Sequence, residues 1–191
     1  MKSPLKKGAS KLWLGSCVIL ASLIASVAGA LATSEYQLKA VFLFNFAQFV
    51  EWPEAAFDDA TDELKICVLG EDPFGTELEA VMEGERIGGR PIGIERVPAG
   101  EPAAHCHLVY VNQNAESDLR QTLQALNGKP VLTVGETEAF TASGGIIRFF
   151  TEDNKVRLQI NPRAAEQSHL RLSSKLLRSS QIVAKENGSA P

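Results

Sequence analysis

Short runs rich in Val, Ile and Leu alternate with longer stretches in which apolar residues recur every three or four positions. Leu64 to Leu69 (LKICVL), Ile92 to Val97, His107 to Val111 (HLVYV) and Val131 to Val134 have the length and β-branched content of strands. Residues Glu35 to Trp52 carry a helical period that Ser34 can cap and Pro53 ends, since proline lacks the N–H the next turn needs. A short acidic loop, Asp58 to Glu63, separates this helix from the first strand. Gly70-Glu71-Asp72-Pro73-Phe74-Gly75 predicts a turn into a second helix ending near Glu83, with Asp72 as cap and Pro73 at its first position. Glu116 to Leu126 has helical spacing. Ile146 to Phe150 and Val156 to Ile160 flank the polar turn Glu152-Asp153-Asn154-Lys155 and predict an antiparallel hairpin. A last helix is expected from about Pro162 to Val183. Strands alternating with helices imply a mostly parallel sheet covered on both faces. The expected fold is a three-layer α/β sandwich with a C-terminal antiparallel hairpin.

Charge changes the picture at the N-terminus. Lys2, Lys6, Lys7 and Lys11 precede an apolar run from Leu12 to about Val27, no acid occurs before Glu35, and Ala28-Gly29-Ala30-Leu31-Ala32 offers overlapping A-x-A cleavage sites. This is the layout of a secretory signal peptide, residues 1–32, with Cys17 inside it and a mature chain beginning at Leu31 or Thr33. An uncleaved anchor is the alternative, because roughly 18 to 20 apolar residues just span a bilayer. Removing residues 1–32 takes away four of nineteen basic residues and none of the twenty-three acids, which leaves a net formal charge of −8. Nucleic acid is therefore excluded as a partner class, since phosphate binding requires a basic surface. Residues 33–185 suit one domain, and Glu186 to Pro191 reads as a disordered tail.

Catalytic motifs are missing: there is no G-x-S-x-G elbow, no H-E-x-x-H, no C-x-x-C, and the Gly70 to Gly75 turn lacks the Lys-Ser/Thr of a phosphate loop. The chain is expected to be neither an enzyme nor a cofactor carrier. Gly88-Gly89 and Gly144-Gly145 read as turn glycines at positive φ. In His105-Cys106-His107 an extended chain would point the two histidines one way and Cys106 the other, so this segment alone makes a poor three-ligand set and no metal is expected. The mature chain keeps two cysteines, Cys67 and Cys106. If neighbouring strands bring them together, the bond closes a loop of about 40 residues, worth roughly 4 kcal/mol of chain entropy; two free buried thiols are the alternative.

On a helical wheel the first helix buries Leu38, Phe42, Leu43, Phe46, Phe49 and Val50, with Gln37, Asn45, Gln48 and Glu51 opposite. Val41 and Phe44 fall among the polar residues with Trp52 beside them, and are candidates for a partner-binding or dimer patch, full burial being the alternative. On the last helix Arg171, Lys175 and Arg178 share a stripe that could receive an anion or an acidic partner, if it is not simply a solvated face.

Several blocks together carry a resemblance. Ala40-Val41-Phe42-Leu43-Phe44-Asn45-Phe46-Ala47-Gln48-Phe49-Val50-Glu51-Trp52-Pro53 resembles the opening signature of the YfiR family. So do Cys67-Val68-Leu69-Gly70 with Asp72-Pro73-Phe74-Gly75, Val131-Leu132-Thr133-Val134 with Phe140 and Gly144-Gly145, and Ile160-Asn161 with Leu172-Ser173-Ser174-Lys175-Leu176-Leu177, in the family's order. The resemblance implies a periplasmic repressor that binds the periplasmic sensor domain of an inner-membrane diguanylate cyclase and is relieved by an outer-membrane lipoprotein; the protein is expected to act as a homodimer. It further implies that Cys67 and Cys106 match a redox-sensitive pair. A second cysteine pair found in some members is missing, and Ser168-His169 stands where small Ala-Gly residues are usual. The rival reading is a small-molecule-binding sensor domain serving a histidine kinase or transporter.

Overall fold

The structure is a computed structural model and describes residues 35–59, 62–112 and 119–183. The signal-peptide expectation, the Ser34 cap, the start of the helix expected from Glu116 and the C-terminal tail lie outside the described residues. Helix α1 (residues 35–49) leads into strand β1 (Val50–Glu51) and a 3-10 turn (Glu54–Ala56). There follow β2 (Leu64–Leu69), α2 (Glu77–Met82), β3 (Arg86–Ile87), β4 (Arg90–Val97), β5 (Leu108–Val111), α3 (Leu119–Leu126) and β6 (Leu132–Gly135). The chain closes with β7 (Ile147–Glu152), β8 (Lys155–Ile160), α4 (Pro162–Gln167), β9 (Arg171–Leu172), α5 (Ser174–Arg178) and β10 (Gln181–Ile182).

Eight strands form one sheet in the order β10-β8-β7-β6-β5-β2-β4-β3, parallel from β4 through β7, while β1 and β9 make a separate antiparallel ribbon. Alternation along the central strands sorts the core into two layers. Ile66, Val68, Leu108, Tyr110, Leu132 and Val134 meet α1, α2, α4 and α5, whereas Cys67, Leu69, Val109 and Val111 meet α3. A strand buried on both faces must read as a continuous apolar run, which is why LKICVL and HLVYV lack polar alternation. The three-layer α/β expectation therefore holds, hairpin included: Glu152 pairs with Lys155 across Asp153 and Asn154, both at positive φ (50° and 56°), as a two-residue hairpin turn requires.

Three local expectations are corrected. Helix α1 gives way at Val50 to a strand, three residues before Pro53. Asp72 does not cap a helix: its Oδ1 accepts the Phe74 N–H at 2.8 Å within the turn, and α2 begins only at Glu77. The single C-terminal helix is broken into α4, β9, α5 and β10. The break lies at His169, which sits at φ 58° while its N–H bonds to Glu166 O at 3.0 Å and the Leu170 N–H bonds to Ala165 O at 2.9 Å. That is a Schellman stop, with histidine in the left-handed position that glycine normally fills. Serines end α5 in the same region, Ser179 and Ser180 donating their hydroxyls to Leu176 O and Leu177 O at 2.9 Å each.

The paired glycines act differently from one another. Gly144 has φ 101° as expected, but Gly145 is needed for room: a Cβ there, or at Gly135, would run into the fully buried Phe140 ring. Gly145→Ala should therefore destabilise the protein by about 1–3 kcal/mol through overpacking. His169→Gly should stabilise it by about 1 kcal/mol by removing a left-handed side-chain penalty. Denaturant midpoints check both, and a destabilised His169→Gly protein would contradict the second.

Candidate regulatory surface and disulfide site

Helix α1 lies along the sheet with its first turns at the carboxyl ends of the strands and its end at the amino ends. Lys39 fixes the first contact. Its side chain is only 4% exposed, and its ammonium meets Glu35 at 2.7 Å, Glu136 after β6 at 2.8 Å and the Tyr36 ring at 4.4 Å. Burial alone would push the Lys39 pKa down, but the hydrogen bonds to Glu136 and Glu35 outweigh it and hold the ammonium above its ordinary range. Tyr110 donates its hydroxyl to Glu136 at 2.5 Å, and its phenol is driven far above the ordinary range by burial and by the Glu136 charge. Sequence reasoning missed this network. The available signal was Lys39 itself, a cation on the wheel face between Leu43 and Phe46.

At the other end, Trp52 donates its indole N–H to His107 O at 3.2 Å. His107 is buried and accepts the Lys65 N–H at Nδ1 (3.0 Å) while Nε2 donates to Ala56 O (3.0 Å), with Phe57 stacked on its ring at 4.4 Å. Burial lowers its pKa, and the bonds suit the neutral ring. Trp52 and His107 thus tie α1 and the following loop to the sheet.

With these ends pinned, α1 buries Lys39, Ala40, Leu43, Phe46 and Ala47, and Val50 of β1 is buried after them. The outward face carries Gln37, Leu38, Val41 and Gln48, and both apolar residues are open to solvent (Leu38 46%, Val41 39%). Leu38, expected inside, is therefore outside, because Lys39 occupies the direction in which the wheel had centred the apolar face. Phe44 and Trp52 are half-buried and pack against the core. Val41 is the one residue of the three that is exposed as expected.

Arg171, Lys175 and Arg178 do not share a helix. Arg171 belongs to β9 and pairs with Glu51 at 3.5 Å, whereas Lys175 and Arg178 belong to α5, with the Lys175 ammonium 4.6 Å above the Phe49 ring. The His169 stop removes the common stripe on which an anion site rested.

Cys67 and Cys106 are bonded, with their Cα atoms 6.1 Å apart and a sequence separation of 39. Cys67 lies on β2 beside Glu95 of β4, and residues 103–106 form a turn that brings Cys106 over the same face. Because that turn is not extended, the alternation argument fails for His105, whose Nε2 lies 3.6 Å from Cys106 Sγ and 3.1 Å from Glu95 Oε1. It holds for His107, which points to the opposite side. A cavity of about 480 Å³ opens next to this region, at the amino ends of β2, β5 and β6, with Phe57, Asp62, Lys65, His105 and His107 among its walls.

The strand order turns back between β2 and β5, the place where open α/β sheets usually bind ligands beyond the strands' carboxyl ends. Here Arg96 latches the loop at that end, bonding to Asp72 (3.0 Å), to Gly75 O (2.9 Å) and to Glu79.

The YfiR/HmsC-like family model (DUF4154) matches residues 36–181, and the chain belongs to that family, one of periplasmic regulators rather than catalysts. Among curated proteins none matches. A solved structure described as a conserved domain protein from Vibrio cholerae O1 biovar El Tor str. N16961 is similar at a TM-score of 0.49 and 14% identity. The similarity covers 63% of this chain and 55% of that one. Among the described residues no helix is long and apolar enough to cross a membrane.

Replacing both Cys67 and Cys106 by Ala should lower the unfolding free energy by about 4 kcal/mol, since the unfolded chain regains the freedom of the closed loop. Equal denaturant midpoints for the oxidised wild type and the double variant would contradict this.

Proposed function

We propose that this protein is a periplasmic repressor that binds the periplasmic sensor domain of an inner-membrane diguanylate cyclase, lowers cyclic-di-GMP and restrains biofilm formation. It has no catalytic step of its own, and works as a homodimer relieved by an outer-membrane lipoprotein. Family membership supports the class of partner. The observation that carries the reading to a surface is the pair Leu38 and Val41, apolar and open to water on a helix whose other side is pinned by Lys39. Burying them against a partner recovers apolar area now in contact with water. Phe44, one helical turn beyond Val41, is half-buried and packs against the core.

The cavity at the amino ends of the strands favours a second reading, a sensor of small polar molecules. It is half open and lies at the end of the sheet opposite the usual ligand crevice, so the repressor reading is preferred.

Deleting the gene should raise cyclic-di-GMP and surface attachment, and the wild-type protein should reverse both. A Leu38→Asp/Val41→Asp variant should be exported, fold normally and fail to reverse them, because each carboxylate would be desolvated without a partner. Full repression by a stably folded variant would remove α1 as the regulatory surface. Unchanged cyclic-di-GMP on deletion would favour the sensor.

A further inference from the structure

Around the disulfide the donors are arranged for more than a covalent tie. Cys67 Sγ, Cys106 Sγ and His105 Nε2 all lie within 4.8 Å of one another. The imidazole touches both Glu95 carboxylate oxygens at 3.1 Å. Glu95 stands directly beside Cys67 in the β2–β4 pairing, so the two side chains share the sheet face that Cys106 and His105 cover. Two sulfurs and an imidazole nitrogen thus converge from β2 and the turn before β5, with the Glu95 carboxylate of β4 in contact with the imidazole. We propose that reduction of the Cys67–Cys106 bond converts this cluster into a site for Zn2+ or another thiolate-preferring divalent cation, with Cys67, Cys106, His105 and Glu95 as ligands.

The distances support it. With Zn–S near 2.3 Å and Zn–N and Zn–O near 2.1 Å, a tetrahedral site has S–N edges of about 3.6 Å and N–O edges of about 3.4 Å. The His105 to Cys106 separation is 3.6 Å and the His105 to Glu95 separation 3.1 Å before any metal is bound. Two thiolates, an imidazole and a carboxylate are a donor set that zinc favours over magnesium or calcium. Access differs between the two halves: both cysteines are buried, whereas His105 and Glu95 are close to half exposed (44% and 45%) and form the mouth through which an ion would arrive.

The chemistry is in two balanced steps. A dithiol reductant gives two electrons and two protons to the disulfide, closing its own disulfide and leaving Cys67 and Cys106 as thiols. The cation then takes the place of those two protons, which pass to solvent, and the thiolates bind the metal. While the disulfide is intact, each sulfur is committed to the other and the site does not exist. The metal site is therefore available only to the reduced protein, whatever partner the protein regulates.

Cobalt(II) provides a visible probe. Full-length mature protein is reduced anaerobically with a water-soluble phosphine, freed of reductant and titrated with Co2+. The reduced wild type should take up one ion per chain, with a thiolate-to-cobalt charge-transfer band and the visible bands of tetrahedral cobalt; Zn2+ should displace it, and the oxidised protein should give neither band. His105→Ala, at an exposed position, should weaken binding at least tenfold while leaving two titratable thiols. His169→Ala, remote from the cluster, should bind as wild type. The proposal is overturned if reduced wild type gives no such bands, if the oxidised protein gives the same bands, or if His105→Ala binds Co2+ as tightly as wild type.

Discussion

The central strands are buried on both faces, and most of the molecule follows from that constraint. A strand such as β2 has no solvated side, so two helical layers are required, and the layer carrying α1 must be held tightly enough to exclude water from Ile66, Leu108 and Leu132. Lys39 provides that hold in an unusual way. A buried ammonium is costly unless its charge and its donors are satisfied, and here Glu136, Glu35 and the Tyr36 face satisfy them together. Removing Glu136 would leave the buried ammonium with only Glu35 of its two carboxylates, so the Lys39–Glu136 contact ties the orientation of α1 to the sheet. The orientation in turn decides that Leu38 and Val41 face outward.

The two ends of the sheet have become different in kind. At the carboxyl end Arg96 and the Lys39 network lock the loops. At the amino end lie the cavity, the disulfide and a neutral His107 that bridges Lys65 and Ala56. Covalent closure there matters because the turn carrying Cys106 has few backbone bonds of its own, one being the Cys106 N–H to Ala103 O at 3.2 Å. The bond closes the end of the sheet to which Trp52 ties the chain that follows α1, on the layer that packs against α3.

Much of the fold was legible because two-sided burial writes itself into composition: LKICVL, HLVYV and VLTV have no plausible surface face. The hairpin was legible from Asp153-Asn154, whose side chains tolerate left-handed φ. The long C-terminal helix was misread for the same physical reason seen from the other side. Its stop is made by His169, and histidine does not advertise the left-handed conformation as glycine would. Leu38 was misplaced because a wheel weighted by hydrophobicity puts lysine outside, whereas the acid that draws Lys39 inward is almost a hundred positions away in sequence. The convergence of His105, Glu95 and the cysteines was hidden likewise, since it depends on a turn where an extended strand was expected.

The central claim is that the outward face of α1 touches a membrane-bound cyclase. A photo-crosslinking amino acid at position 41, in protein expressed and exported by its own host, tests it most directly. Irradiation should capture an inner-membrane protein that carries a periplasmic domain and a cytoplasmic cyclase domain, and the same probe at Arg157 on the distant hairpin should not. Capture from Arg157 with none from position 41 would contradict the account.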